Sequence, residues 1–162
     1  MTYAATKRYT ARMFARLVHR TVMTGVLITA SAMVAISVRA ADPKVIEGPA
    51  QVIDGGTLAI GEKTLRLAGI AAPGPRQKCL DGQLPWLCGA AARAHLVKLI
   101  DDRPVSCVER RPGLALCRTP DDDLSAAMVR DGWAVTDQHG KAYRQLEAEA
   151  RRERRGLWKR MQ

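Results

Sequence analysis

Residues 49–75 read PAQVIDGGTLAIGEKTLRLAGIAAPGP. Two short runs, QVID and TLAI, flank Gly55-Gly56, a pair suited to a two-residue hairpin turn because glycine tolerates positive φ at both positions. Gly61-Glu62 marks the next turn. TLRLAGI then forms a third strand, with Leu65 and Leu67 on one face and Thr64, Arg66 and Ala68 on the other. The stretch reads as three strands and two tight turns, the opening of a small barrel. Its only acids are Asp54 and Glu62, and Glu62 sits in a turn.

Downstream, AAPGPRQKCLDGQLPW is a loop rich in Pro and Gly, and LCGAAARAHLVKLI is a helix. The apolar face of that helix runs through Ala91, Leu96, Val97 and Ile100, which leaves His95 on the exposed side. PVSCVE and LALCR make a second hairpin around RRPG. DDDLSAAMVRDG is a helix with an aspartate N-cap and Gly132 just past its end. The last helix, AYRQLEAEARRERRG, closes at Gly156, after which Leu157-Trp158 folds back onto the body; His139 lies in a loop. The order is βββ, α, ββ, α, α. It predicts an α+β fold, a small five-stranded Greek-key barrel with three helices.

The first 40 residues carry Lys7, Arg8, Arg12, Arg16, Arg20 and Arg39 and no acid, and TVMTGVLITASAMVAISV between Arg20 and Arg39 is uncharged. A basic start, an apolar run and the small-residue site at Val38-Arg39-Ala40 describe a signal peptide. A signal anchor is the alternative, because 18 residues lie at the short edge of spanning length. Stacked arginines and the lack of a polar face argue against a core helix. Either leading reading places residues 41–162 outside the cytoplasm. The expected organisation is a leader at 1–40, a linker at 41–48, a domain at 49–158 and a basic end at 159–162.

Export changes the meaning of the charge. The formal net charge is +10, of which the leader supplies six and RRERRGLWKRMQ at the C-terminus five, so the body from 41 to 150 is near neutral at −1. A basic chain would ordinarily point to nucleic acid or an anionic surface. Here the basicity reports the two ends. Cys79, Cys88, Cys107 and Cys117 form an even set in an oxidising setting, which reads as two disulfides. Three connectivities are open, with local pairing (Cys79–Cys88 and Cys107–Cys117) favoured. Spacings of eight and nine intervening residues match no common zinc finger.

The order of elements, together with VIDGGTL, LRLAGIAAP, LSAAMVRDGWA and AEARRERRGLW, resembles the staphylococcal-nuclease-like (thermonuclease) family over roughly residues 49 to 158. That resemblance implies a barrel of the oligonucleotide-binding (OB) type, and for active members calcium-dependent cleavage of DNA and RNA phosphodiesters. It also locates the active-site positions. The second acid of the family's first-hairpin motif falls on Gly56, the second calcium aspartate on Ala71, the general-base glutamate on Gly74, and one phosphate-binding arginine on Pro112. Only Arg66 keeps the family residue. Calcium needs six to eight oxygen ligands, and Gly56 and Ala71 offer none from a side chain. Gly74 cannot deprotonate a water, and Pro112 cannot stabilise a phosphorane-like charge.

A rearranged site would have to draw on Arg110, Arg111 and Arg118, and on Asp54, Asp81 or the Asp121-Asp122-Asp123 run. The aspartate run reads more simply as a helix cap, Asp54 as a turn residue and Asp81 as solvated. The candidate binding residues are Arg66, Arg110 and Arg111. No cofactor is expected, calcium entering only with a rearranged site. Trp86, Trp133, Trp158 and Tyr143 fall outside the expected strands and read as core or caps, so no base-stacking platform is visible. Three function classes follow: a non-catalytic envelope domain, a nuclease with a rebuilt site, or a module recruited through its basic end to nucleic acid or an anionic surface. An uncleaved leader would add the membrane as a partner.

Overall fold

The computed structural model describes residues 44–160, which lie within one compact unit, Ala41–Gln162. The leader falls outside the described residues. Ten strands and three helices follow one another: β1 (Val45–Gly48), β2 (Ala50–Asp54), β3 (Thr57–Ile60), β4 (Lys63–Leu67), β5 (Ile70–Ala71), β6 (Cys79–Asp81), β7 (Leu84–Trp86), α1 (Cys88–Ile100), β8 (Val105–Arg111), β9 (Leu114–Arg118), α2 (Leu124–Arg130), β10 (Val135–Thr136) and α3 (Arg144–Arg152). Short 3-10 turns occupy Lys141–Tyr143 and Gly156–Lys159. The α+β class with three helices is as the sequence predicts.

Six strands form the main sheet, in the order β1-β8-β9-β4-β3-β2. Every ladder is antiparallel except β4 with β9, where Arg66 pairs with Leu114 and Leu67 with Ala115. The two edge strands, β1 and β2, are consecutive in the chain and separated only by Pro49. The segment expected as a linker therefore ends in a strand: Val45–Gly48 pairs with β8, from Val45 opposite Val108 to Gly48 opposite Val105. β1 and β2 are two halves of one bent strand, which reconciles six observed strands with the five expected. The bend needs glycine. Gly48 has φ 151°, and a Cβ there would sit 3.2 Å from Ile60 Cγ2.

Other local expectations are corrected by tertiary packing. Gly55 and Gly56 are not at positive φ. Their small size is what matters, since a Cβ on Gly55 would lie 2.7 Å from the Ala92 methyl on α1. The third strand breaks at Ala68-Gly69, where Gly69 takes φ 80°, and resumes as β5 against β10. The loop after it contains the hairpin β6–β7, so Trp86 is in a strand. α3 stops at Arg152, short of Gly156, because Arg154 enters the left-handed region. The core-facing side of α1 is Ala92, Leu96 and Ile100, so Val97 is exposed.

The interior is filled by Leu58, Leu65 and Leu67 from the first strands, Leu96 from α1, Val105 and Cys107 from β8, and Leu124, Met128 and Val129 from α2. Each fully buried aliphatic side chain stabilises the fold by about 1.5–3 kcal/mol relative to exposure. The disulfide Cys107–Cys117 joins directly paired residues of β8 and β9 inside this core. Cys79–Cys88 ties the outer hairpin to the start of α1. Both bridges belong to a chain that folds in oxidising surroundings. Among the described residues no helix is long and apolar enough to cross a membrane. Substituting Gly48→Val, which forces a β-branched residue into that bend, is expected to cost about 1–3 kcal/mol. The change would appear as a lower urea midpoint with an unchanged slope.

Candidate functional site

The turn between β8 and β9 is Pro112-Gly113, with Gly113 at φ 74° and its N–H donated to Glu109 Oε1 at 2.7 Å. This turn holds Arg110 and Arg111 at the mouth of a cleft of about 540 Å³. The opposite wall is the segment from His139 to Tyr143, and the floor is Ala68, Gly69, Leu114 and Leu116. Two glycines let those walls approach. A Cβ on Gly140 would fall 1.9 Å from the carbonyl oxygen of Gly69, and one on Gly69 would meet the Tyr143 ring at 2.9 Å. Asp137 N–H donates to Gly69 O at 3.1 Å and fixes the contact.

Tyr143 and Glu147 set the electrostatics behind the cleft. The Tyr143 hydroxyl donates to Asp123 Oδ2 at 3.2 Å. Its pKa is pushed up to about 12, first by burial and then by the Asp123 charge and hydrogen bond, so it stays a neutral donor. Glu147 is a buried acid. Burial alone would raise its pKa, but the hydroxyl and N–H of Thr136 and the guanidinium of Arg151 together hold it below its ordinary value. That carboxylate fastens α3 to β10, and β10 leads directly into the cleft wall.

Arg110 and Arg111 therefore share a cleft. Arg66 does not line it. It lies exposed on β4, paired with Leu114, which does line it. Sequence reading placed His139 in a loop and Tyr143 among core or cap residues, and missed that both wall a cleft. The one available signal was Gly69 and Gly140, two glycines far apart in the chain that have to meet.

The positions that the family resemblance singles out are built of small residues. Gly56 faces Ala72, whose methyl would be 3.4 Å from a Cβ on Gly56. Ala71 and Ala72, with Pro73, Gln77, Cys79, Val135 and Leu157, line a pocket of about 260 Å³. A Cβ on Gly74 would meet nothing within 4 Å, and the Gly74 N–H is donated to Gln77 Oε1 at 3.1 Å. The one side-chain carboxylate at this constellation is Asp54, which already accepts the Gly56 N–H, and a single carboxylate does not fit the oxygen-rich shell that calcium takes.

The acids that could serve a rearranged site already have partners within the fold. Asp54 Oδ1 accepts the Gly56 N–H at 2.8 Å, as a turn residue should. Asp81 lies 3.6 Å from Arg160 Nη1, so it is paired where solvation was expected. Asp121 pairs with Arg103, and Asp122 with Arg130 at 3.2 Å. Asp123 caps α2 by accepting the Ala126 N–H at 2.9 Å. Arg118 lies on the same face of β9 as Leu114 and Leu116 and lines an adjoining depression that shares Arg110 and Leu116 with the cleft.

Over residues 64–160 the chain matches the family model described as staphylococcal nuclease homologue. The chain belongs to this family. No curated protein matches it. The first hairpin, β2–β3, precedes the matched residues, and its place in the nuclease-homologue barrel rests on its pairing with β4. His95, expected on the exposed side of its helix, is half-buried in this domain. Its Nε2 lies 2.9 Å from Asp131 Oδ2 and its ring stacks on Trp133 at 5.6 Å. The expectation failed because the core-facing stripe of α1 is rotated by about one residue from the stripe assumed. Trp86 meets Trp133 edge to face at 6.4 Å, so these aromatics do serve as packing groups.

Because the folded pKa of Glu147 lies below its ordinary value of 4.5, its ion pair stabilises the fold above that pH and the contribution is lost as pH falls through and below it. Glu147→Gln is expected to destabilise the domain by about 1–3 kcal/mol at neutral pH. In thermal melts the gap between variant and parent should close on acidification.

Proposed function

We propose that this nuclease homologue is an exported, non-catalytic binding domain of the cell envelope that takes an anionic ligand in the Arg110–Arg111 cleft. The observation that carries the reading is that Gly56 lies against the Ala72 methyl, with the exposed Ala71 next to it in the chain. Methyl groups and glycine backbone occupy the place where the family chemistry needs carboxylates. Each lost catalytic group costs about a hundredfold or more in rate, as removal of one transition-state donor does. With acid, base and one arginine all replaced, phosphodiester hydrolysis falls below detection.

Export is supported by the basic, acid-free leader and by two disulfides that require oxidising surroundings. Anion binding is supported by guanidiniums over an apolar floor of Leu114 and Leu116, with the neutral Tyr143 hydroxyl nearby. The basic C-terminal end is a weaker candidate. Arg151 lies over Trp158 at 4.2 Å, Arg155 binds the carbonyl of Arg130 at 3.0 Å, and Arg160 lies over Trp86 at 4.9 Å. These cations serve the fold.

Hydrolysis of DNA and RNA by purified residues 41–162, with calcium and with chelator, tests the first half. The expected result is no cleavage above that of an Arg66→Ala control. Calcium-dependent cleavage that disappears in the control would establish a rebuilt nuclease site instead. For the second half, replacing both Arg110 and Arg111 by alanine is expected to weaken heparin binding and flatten its salt dependence by about two units of slope. Lys159→Gln should leave both unchanged.

A further inference from the structure

Along β8 and β9 the side chains alternate between the core and the outside. Val105, Cys107, Ala115 and Cys117 are buried, so Ser106, Val108 and Arg110 on β8 and Leu114, Leu116 and Arg118 on β9 point outward. The register sets Ser106 opposite Arg118 and Val108 opposite Leu116. It then slips between Glu109 and Arg111, and that irregularity brings two consecutive arginines to one cleft. Val108, Leu114 and Leu116 thus form an aliphatic floor with guanidiniums at both ends, Arg110 and Arg111 at one and Arg118 at the other.

The floor is continuous. The Arg110–Arg111 cleft shares Arg110 and Leu116 with a depression of about 280 Å³ that reaches on to Val108 and Arg118. From Leu114 to Arg118 the extended strand covers about 13 Å. Among the described residues Arg110, Arg111 and Arg118 form no ion pair, whereas Arg103, Arg130, Arg155 and Arg160 each do. The acids around the track already accept donors. Asp123, the one acid of the two depressions, takes the Ala126 N–H at 2.9 Å and the Tyr143 hydroxyl at 3.2 Å. Glu109 takes the Gly113 N–H and Asp137 the His139 N–H, each at 2.7 Å. Glu47, bonded by the Ser106 hydroxyl at 2.8 Å, lies in the next pocket past Arg118 and ends the basic section.

The complementary ligand is anionic at two places and aliphatic between them. A phosphodiester chain meets this poorly, because bases stack on aromatic faces, and the rings that line the track, His139 and Tyr143, belong to one end wall. An extended peptide meets it well. Its side chains repeat on one face every ~7 Å, as do those of the strands beneath, and carboxylates take guanidiniums in bidentate pairs. We propose that the outer face of β8 and β9 is a docking track for an extended acidic segment of a partner protein, in which carboxylates flank an aliphatic residue. This names the anion of the Arg110–Arg111 cleft and rests on the anion-binding reading of that cleft. One carboxylate pairs with Arg118, those at the other end pair with Arg110 and Arg111, and the aliphatic side chain lies on Val108 and Leu116.

The test is fluorescence anisotropy of the labelled peptide GDSLSDDG with the compact unit 41–162. Saturable binding is expected. Arg118→Gln, at an exposed position, should weaken it about threefold to fivefold, and Lys159→Gln should leave it unchanged. Replacing the peptide's leucine by serine should cost about tenfold on the parent protein, but little more on the Leu116→Ser variant, since the two side chains form one contact. Absence of peptide binding, or indifference to Arg118→Gln, would overturn the proposal. If heparin binding still depended on Arg110 and Arg111, the cleft would keep its anion and lose only the peptide; if it did not, the cleft reading would fall as well. An oligothymidylate of equal charge that bound more tightly and displaced the peptide would assign the track to nucleic acid and overturn the proposal too.

Discussion

A six-stranded sheet whose two edge strands are separated by a single residue cannot lie flat. β1 and β2 sit at opposite ends of the strand order, yet Pro49 alone joins them. The sheet must curl until its ends meet, and the curl places the apolar faces of β2, β3, β4, β8 and β9 inward on one core. Gly48 permits the corner, since its φ of 151° and the nearby Ile60 methyl leave no room for a side chain. Chain continuity closes this barrel where a hydrogen-bonded ladder does not. The helices then fill what the curled sheet leaves open. Ser125 at the start of α2 donates to Ala68 O at 2.9 Å, and Arg93 of α1 donates to Val52 O at 3.2 Å.

The same geometry explains why the cleft and the family's catalytic position are so close yet so different. Both lie where β4 breaks and β5 begins. On one side of the break, Gly69 admits Gly140 and the wall carrying His139 and Tyr143, and the turn from β9 brings Arg110 and Arg111 opposite. On the other side, Ala72 packs toward Gly55 and Gly56, and Ala92 toward Gly55. Small residues there allow the first hairpin, β5 and α1 to approach closely. Close packing and a hydrated metal site are competing uses of one volume.

At the C-terminus, charge is spent on bracing. Leu157 is buried and its N–H donates to Gly132 O at 2.9 Å, a contact that only glycine at 132 and 156 permits. Arg151, Arg155 and Arg160 each combine an acid with an aromatic ring or a backbone carbonyl. Reading the net charge without these partners exaggerates the attraction of this end for anions.

The sequence by itself determined the α+β class, the helices, the Asp123 cap and the return of Leu157, because each rests on residues near one another in the chain. Among three open cysteine connectivities it only favoured the local one that the structure shows. What it did not reveal lies in long-range approach. That residues 45–48 are a strand depends on β8, sixty residues away. That His95 faces inward depends on Asp131 and Trp133, and that His139 and Tyr143 wall a cleft depends on Gly69. Periodicity gives the width of a helix's apolar stripe to within about one residue. Which residue of that stripe meets the core is decided only when another element packs against it.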